Sequence, residues 1–403
     1  MDAQNPGMYD GSELSLRSNL DLFSFPKTDV SCTYSTERMP VYPTASTDGD
    51  SPLEFTIKTE ASYLDLTETY LKIGFRIKKV DGSKCTTSEK ACPANLMFGL
   101  MFRNMEVYLN NKLISDTNNN YPYVHYIQKM LTLPQAYKNT KLKEEFYYPN
   151  AEQDSYADAS VGYATRYAAA KVDKQVFLMG QLVCGFFQQE RWLPPGNELR
   201  IVLRRSHPDF CLDSREEEVT NKKSYRIVID KAVLYVQRQP VTPSVLKWHR
   251  SQLDKNEKIK YFLNEPVVKT CTIPAGVTSF TTEGVITGRV PKVLCAALVS
   301  NQAYNGIMSK SPMNFAHNDL TQVTITWNNA ENMESRTIAL NFKDDSDSTS
   351  TVPDDVLEGV LSLQKAVANN MLWNGISKDN YGKGKCNMPY GYIVQTNKMY
   401  IYR

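Results

Sequence analysis

The sequence lacks the segments that direct a protein to the secretory pathway or anchor it in a membrane. Residues 1–17 contain no apolar core of a signal peptide, and no Asn-x-Ser/Thr sequon occurs in the chain. A nearly continuous apolar run at residues 96–102 is far shorter than the roughly 20 residues that cross a bilayer. We therefore expect no membrane partner and a protein that stays outside the secretory pathway.

The eight cysteines follow neither a disulfide pattern nor a zinc-binding pattern. Cys184 and Cys295 lie inside apolar runs, where a free thiol behaves as a small hydrophobic group. The spacing of the whole set is irregular, so we expect reduced thiols and a reducing compartment. The cysteines are residues 32, 85, 92, 184, 211, 271, 295 and 386.

The chain also lacks an excess of charge of one sign. It has 46 Lys and Arg against 44 Asp and Glu, a net charge of +2, whereas proteins that coat nucleic acid are usually strongly basic. We therefore expect no specific nucleic-acid site. Tryptophan is scarce, with 4 residues against 24 tyrosines, and tyrosine suits strands and interfaces that are half exposed to water.

No constellation of catalytic residues is visible. None of the four histidines stands with another His or Cys at metal-ligand spacing, and no G-x-S-x-G motif occurs. The GKGK sequence at 382–385 lacks the upstream Gly and the following Ser or Thr of a phosphate-binding loop. We predict no catalytic, cofactor-binding or metal-binding residue, no cofactor, and a protein that is not an enzyme. The histidines are His125, His207, His249 and His317.

Acidic side chains leave two alternatives open. Residues 216–218 and the trio Asp344, Asp345 and Asp347 could bind calcium, but they lack the Gly and the distant Glu of an EF-hand and are typical of solvated loops. A carboxylate pair for glycoside hydrolysis also stays possible, because such residues converge only in three dimensions.

Alternating apolar and polar residues predict β-strands with one buried face. Leu53, Phe55 and Ile57 alternate with polar residues, and a similar alternation continues through Leu71 to Ile77. Seven or eight strands are expected before residue 240. Besides these two, they are predicted at 95–102, 105–109, 112–115, 176–187, 198–204 and 225–236.

Helices are few, and the β pattern restarts in the second half. A short helix is predicted within 121–131, before Pro134, and a second follows two prolines, with Ser244 as its N-cap. A third is expected at 354–373 after a polar acidic loop. Strands of the second half are predicted at 267–276, 278–287, 292–300, 320–329 and 335–342. The pattern predicts an all-β protein of two tandem β-sandwiches.

Several blocks, in this order, resemble the major capsid protein family of Maverick/Polinton elements and their adintovirus relatives. The resemblance covers about residues 20–320. Its blocks are LDLFSFPKTDVS (20–31), SPLEFTI (51–57), YLDLTETYLKI (63–73), VYLNNKLISDTNNNYPYVHYI (107–127), FFQQERWLPPGNELRIVLRRS (186–206) and AYNGIMSKSPMNFAHND (303–319).

This resemblance implies a double jelly-roll, hexon-like protein with short helices in its inter-strand loops. We expect an N-terminal arm at 1–40, a first jelly roll at 41–240, a connector at 241–262 and a second jelly roll at 263–403. Trimers would form pseudo-hexagonal capsomers of an icosahedral shell around double-stranded DNA, in contact with neighbouring capsomers and a penton protein. The expected location is the virion capsid, with assembly in the host nucleus or cytoplasm.

Two departures from the family pattern stand out. Asn111 replaces the Gly of the family's LNGKLI turn, a mild change because Asn tolerates positive φ. After NMPYGY (387–392) the chain continues only as IVQTNKMYIYR, so we expect a C-terminally truncated second jelly roll. The alternatives are a penton or minor capsid protein with one jelly roll, and a cellular carbohydrate-binding β-sandwich.

The loop after the hairpin at 105–115 is predicted to be a joint, not a binding site. It is rich in asparagine and aromatic residues and has no catalytic partner elsewhere in the chain. We expect Tyr121, Tyr123 and Tyr126 to pack beneath a loop or against a neighbouring subunit.

Overall fold

The protein is mostly β-sheet, with few and short helices. The computed structural model describes residues 36–47, 49–60, 62–85, 91–150, 160–171, 173–214, 225–285, 295–315, 318, 320–328, 333–339 and 395–402. Within these ranges no helix is both long and apolar enough to cross a bilayer.

The elements are numbered along the chain. The strands are β1 (Glu37–Val41), β2 (Leu53–Lys58), β3 (Tyr63–Lys79), β4 (Cys92–Pro93), β5 (Phe102–Leu109), β6 (Lys112–Asp116), β7 (Val176–Gln181), β8 (Glu198–Arg205), β9 (Leu212–Asp213), β10 (Tyr225–Gln239), β11 (Ile259–Pro266), β12 (Gln322–Asn328), β13 (Met333–Ala339) and β14 (Gln395–Tyr402). The α-helices are α1 (Met97–Leu100), α2 (Tyr121–Thr132), α3 (Gln135–Asn139), α4 (Val161–Ala170), α5 (Pro208–Cys211), α6 (Pro243–Asp254) and α7 (Asn301–Asn305). Short 3₁₀ helices span Lys141–Glu145 and Gly185–Phe187.

Eight strands between β1 and β10 form two four-stranded antiparallel sheets. One sheet has the order β1-β10-β3-β7 and the other the order β2-β8-β5-β6. The chain crosses between the sheets at every step except the β5–β6 hairpin and returns with β10 beside β1. This strand order is that of a jelly roll.

The core lies between the two sheets and is built from the inward residues of each strand. On β2, Leu53, Phe55 and Ile57 are at most 1% exposed, and Phe55 faces Ile201 in the register. Ile201 in turn faces Val107 on the other side of β8, so the buried residues form a continuous layer. Each such side chain contributes about 1.5–3 kcal/mol on burial. The alternation predicted from the sequence is confirmed here.

The strands predicted at 105–109, 112–115, 198–204 and 225–236 all fall inside observed strands. The prediction for 95–102 is wrong, because a left-handed residue, Leu96 with φ 58°, leads into the one-turn helix α1 before β5 begins. All four α1 residues are buried, and a fully buried run has no polar side to reveal its period. The strand predicted at 176–187 ends at Gln181 and gives way to the 3₁₀ helix at Gly185–Phe187.

The second half differs more from expectation. The described residues 267–285 and 295–300 contain no strand, so the predicted strands there are wrong in those ranges. Pro274 and Gly276 form a turn, with Gly276 at φ 82° and the Val277 N–H donating to the Pro274 carbonyl. Pro cannot donate to a ladder, so this turn interrupts the predicted strand. The hairpin β12–β13 matches the prediction, and the predicted helix at 354–373 lies outside the described residues.

The helix predicted after the two prolines is α6, but its N-cap is not Ser244. Thr242 occupies the N-cap, and Pro243 is the first helical residue, where its missing N–H costs nothing. After α6, the strand β11 pairs with β14 along its full length.

Candidate functional site

The β5–β6 hairpin closes with a tight turn of two asparagines. Asn110 and Asn111 have φ of 50° and 63°, the left-handed conformation that such a turn requires. The Asn110 amide donates to Oδ1 of Asn197 at 2.8 Å, and its own Oδ1 accepts from the Glu198 N–H at 2.9 Å. The turn is therefore held by side-chain hydrogen bonds as well as by its backbone.

The polar residues after β6 are bound within the protein. The Thr117 hydroxyl donates to Oδ1 of Asn104 at 2.7 Å, and the same oxygen accepts from the Asn119 N–H at 3.1 Å. Asn118 and Asn119 are both left-handed, and the Asn118 N–H donates to Asp116 Oδ1 at 2.9 Å. These contacts set the direction in which α2 leaves the sheet.

The three tyrosines of α2 are buried, as predicted. Tyr121, Tyr123 and Tyr126 are 0%, 7% and 3% exposed. The Tyr121 hydroxyl accepts from the Val183 N–H at 3.3 Å, so α2 is tied to the chain just after β7.

Two of these tyrosines pack against the second half of the chain. Tyr123 stacks on Tyr304 with ring centroids 5.9 Å apart and planes 14° apart. Phe315 lies edge-on to Tyr126 at 5.9 Å and 6.5 Å from Tyr123, while Phe210 meets Tyr123 edge-on at 6.3 Å. We call these five rings the aromatic joint. Each such ring pair contributes about 0.5–1.5 kcal/mol beyond the area it buries.

A second set of contacts joins β11 to the jelly roll. The Ser115 hydroxyl donates to Oε2 of Glu265 at 2.9 Å, and the Tyr261 hydroxyl donates to the Trp192 carbonyl at 3.1 Å. Phe186 packs edge-on against the Tyr261 ring at 6.0 Å. Among the described residues, the two halves therefore meet at the aromatic joint and through β11, and the Ser214 N–H also donates to the Met308 carbonyl at 2.9 Å.

A buried ionic cluster lies on the side of α2 away from the joint. His125 is 0% exposed, and its Nε2 lies 3.1 Å from Oε2 of Glu145. Lys129, one turn further along α2, donates to the other oxygen of Glu145 at 2.7 Å. The His125 ring lies so close to Gly99 that a Cβ at residue 99 would overlap it. Glycine is therefore required where α1 meets α2.

Burial and charge act on this cluster in opposite directions. Burial lowers the pKa of His125 below its ordinary 6.5, against the attraction of the Glu145 carboxylate. Burial alone would raise the pKa of Glu145, but the Lys129 ammonium outweighs it and holds the pKa below its ordinary 4.5. The cluster therefore favours an ionised Glu145 beside a neutral His125 at neutral pH.

The buried guanidinium of Arg166 joins α4 to the short strands β4 and β9. Arg166 is 0% exposed, and its Nη2 donates to Oδ2 of Asp213 at 2.8 Å. Its Nε donates to the Pro93 carbonyl at 2.9 Å, and Nη1 donates to the Tyr148 carbonyl and, at 3.1 Å, to Asn150 Oδ1. The sequence gives no sign of either buried cluster, because the charged residues in them are of types that usually lie on the surface.

The described residues hold no group of three or more His, Cys, Asp or Glu placed to bind a metal ion. His207 precedes the one-turn helix α5, His249 contacts Tyr63, and His317 lies outside the described residues. Burial raises the pKa of the Cys184 and Cys211 thiols, which disfavours their thiolates.

A cavity of about 100 Å³ opens beside Lys129, lined mainly by Thr, Gln and Leu side chains. It has room for about three water molecules, whereas pockets for small ligands are usually about 300–1,000 Å³.

Comparison with known proteins gives distant relatives. No family model matches the chain. A nematode protein from Caenorhabditis elegans, described as the uncharacterized protein F54H12.2, is 20% identical over 286 residues, which cover 69% of this chain and 66% of that protein.

Among solved structures, the chain is similar to a protein of the Sputnik virophage (9% identity, TM-score 0.49, 78% of this chain and 69% of that one). It is also similar to the Faustovirus major capsid protein, with 9% identity and a TM-score of 0.46 over 76% of this chain and 70% of that one. The mavirus major capsid protein has 11% identity and a TM-score of 0.34 over 66% of this chain and 56% of that one. The chain thus spans between about half and seven tenths of the length of the proteins it matches.

Proposed function

We propose that this chain is a viral-type major capsid protein of the double jelly-roll class, of the kind found in Maverick/Polinton elements and adintoviruses. The observation that carries the proposal is the strand order of the two four-stranded sheets, which is that of a jelly roll. The ordered blocks over residues 20–320 support the same family, because four of the six lie on elements of this jelly roll, namely β2, β3, β5 to α2, and β8.

The proposed role is structural, not enzymatic, and its location is the capsid of a virion. A rigid sandwich carries a long excursion between β6 and β7, whose described residues include the helices α2, α3 and α4, and such excursions can bury surface on neighbouring subunits. Three chains would form a pseudo-hexagonal capsomer, with an obligate interface above about 2,000 Å². Capsomers would then contact one another and a penton protein in a shell around double-stranded DNA.

We also propose the domain division that the sequence suggests. The sequence suggests an arm at 1–40, a first jelly roll at 41–240, a connector at 241–262 and a second jelly roll at 263–403. The first sandwich starts slightly earlier than this division, because β1 at Glu37–Val41 is already part of its sheet. In support, α6 lies between the last strand of the first sandwich and β11, and the halves meet through the aromatic joint.

The oligomeric state tests the proposal. Size-exclusion chromatography with light scattering on the purified chain should give three times the 45.8 kDa chain mass. Negative-stain images of that peak should show compact particles of hexagonal outline. A monomer that binds glycans on an array would overturn the proposal in favour of a cellular carbohydrate-binding β-sandwich, and a monomer without such binding would overturn it as well.

A further inference from the structure

Helix α6 lies on the surface with none of its residues fully buried. Its firmest contact is His249, whose Nδ1 lies 2.5 Å from the Tyr63 hydroxyl, with the two rings 5.7 Å apart. The half-buried residues Val245, Leu246 and His249 lie on one side of the helix. The opposite side, which carries Lys247, faces solvent.

The segment from α6 to the start of β11 concentrates positive charge. Residues 247–260 contain five basic and two acidic residues, a net charge of +3, whereas the whole chain has only +2. All five basic side chains belong to exposed residues, and none forms an ion pair with another described residue. They are Lys247, Arg250, Lys255, Lys258 and Lys260.

An exposed aromatic ring stands within this charge. Trp248 is 60% exposed, next to the positive face of the helix, and its ring lies 5.1 Å from that of His249. His249 is held in place by Tyr63, so Trp248 lies beside a fixed neighbour while most of its own surface stays exposed. Basic side chains that track a phosphate backbone, together with an aromatic ring on which a base stacks, are the features of single-stranded nucleic-acid binding.

We propose that α6 and the residues through Lys260 bind single-stranded nucleic acid without sequence preference, with Trp248 stacking on one base. A helix that binds a membrane surface points its apolar side outward with its tryptophan. Here Val245 and Leu246 are half-buried and Leu253 is 42% exposed. Lys247 and Arg250 lie on the side that faces solvent, so the charged side is the one offered to a partner. This inference goes beyond the capsid proposal and does not depend on trimer formation.

The test is fluorescence anisotropy of a labelled 20-nucleotide strand on the full chain. The triple variant Lys247→Gln/Arg250→Gln/Lys255→Gln should bind at least tenfold more weakly. The slope of log K against log salt should become shallower by about two, because each lost phosphate contact to a single strand contributes about 0.7. The control Lys112→Gln/Lys143→Gln/Lys174→Gln removes the same charge from exposed positions elsewhere and should change affinity less than twofold.

Trp248 separates stacking from charge. Trp248→Ala should weaken single-strand binding about tenfold and leave the salt slope unchanged. Trp248→Phe keeps an aromatic ring and should therefore bind nearly as tightly as the wild type. Equal binding by the wild type and the triple variant would overturn the proposal. So would binding only to vesicles of phosphatidylserine and phosphatidylcholine. Light scattering on the same variants reports oligomeric state separately, so failure here is distinguishable from failure of the capsid proposal.

Discussion

At the scale of single residues, the buried charge of Arg166 holds α4 against β4 and β9. Replacing it by Met would leave Asp213 charged at 3% exposure and would remove the donors of two backbone carbonyls. Breaking a buried pair from one side costs about 3–5 kcal/mol. We expect Arg166→Met to lower the free energy of unfolding by that amount in urea titrations followed by circular dichroism.

An exposed arginine provides the matched control. Arg38 pairs with Glu68 at 3.7 Å, but both side chains are more than 40% exposed. Such pairs contribute about 0–1 kcal/mol, so Arg38→Met should shift the urea midpoint little. Equal losses in the Arg38 and Arg166 variants would contradict a specific role for the buried guanidinium.

The His125 cluster makes stability depend on pH. The folded-state pKa of His125 lies below its ordinary 6.5 and that of Glu145 below its ordinary 4.5, so the unfolded chain binds more protons in acid. The stability from each group is present above its ordinary pKa and is lost as pH falls through the folded value. Thermal melts should therefore show the melting temperature falling below about pH 6.5, and falling further below about pH 4.5.

His125→Gln isolates the histidine contribution. Glutamine stays neutral across this range and can still donate to Glu145. The decline in melting temperature that begins near pH 6.5 should therefore flatten, while the decline below about pH 4.5, which comes from Glu145, should remain. His207→Gln makes the same substitution at a half-exposed histidine and is the matched control. A His125→Gln profile parallel to that of the wild type would show that the cluster does not set the pH dependence.

At the scale of elements, strand alternation is the part of the fold that the sequence predicts well. Leu53, Phe55 and Ile57 face one core because side chains of a strand alternate, and the observed register keeps them there. The α2 prediction also holds: the helix runs from Tyr121 to Thr132 and ends before Pro134. Both predictions rest on local periodicity, which the chain carries in its own sequence.

Other elements depend on partners that the sequence does not reveal. β1 has only two partly buried apolar residues, Met39 and Val41, which is too short an alternation to identify a strand, and Glu37–Val41 pairs with β10 at the edge of a sheet. α1 is buried on every side, so its apolar run resembled a strand. The aromatic joint shows the same limit: the burial of Tyr123 could be expected, but its partners Tyr304 and Phe315 lie 181 and 192 residues further along the chain.

At the scale of the whole molecule, the aromatic joint couples the jelly roll to the second half. Tyr123 contacts three aromatic rings, and its hydroxyl is buried with no hydrogen-bond partner among the described residues. The ring therefore contributes through packing, and the hydroxyl costs desolvation. Burial also raises the pKa of this phenol, so it stays neutral at physiological pH.

Two substitutions separate the ring from its hydroxyl. Tyr123→Phe keeps the packing and should leave the free energy of unfolding unchanged or slightly higher. Tyr123→Ala removes the ring and should cost about 3–5 kcal/mol, the range for large-to-small core substitutions. If the joint couples the halves, hydrogen exchange in Tyr123→Ala should rise around residues 301–315 while the β2–β8 pairing stays protected. Faster exchange confined to α2, with 301–315 unchanged, would show that the halves are held together by the β11 contacts instead.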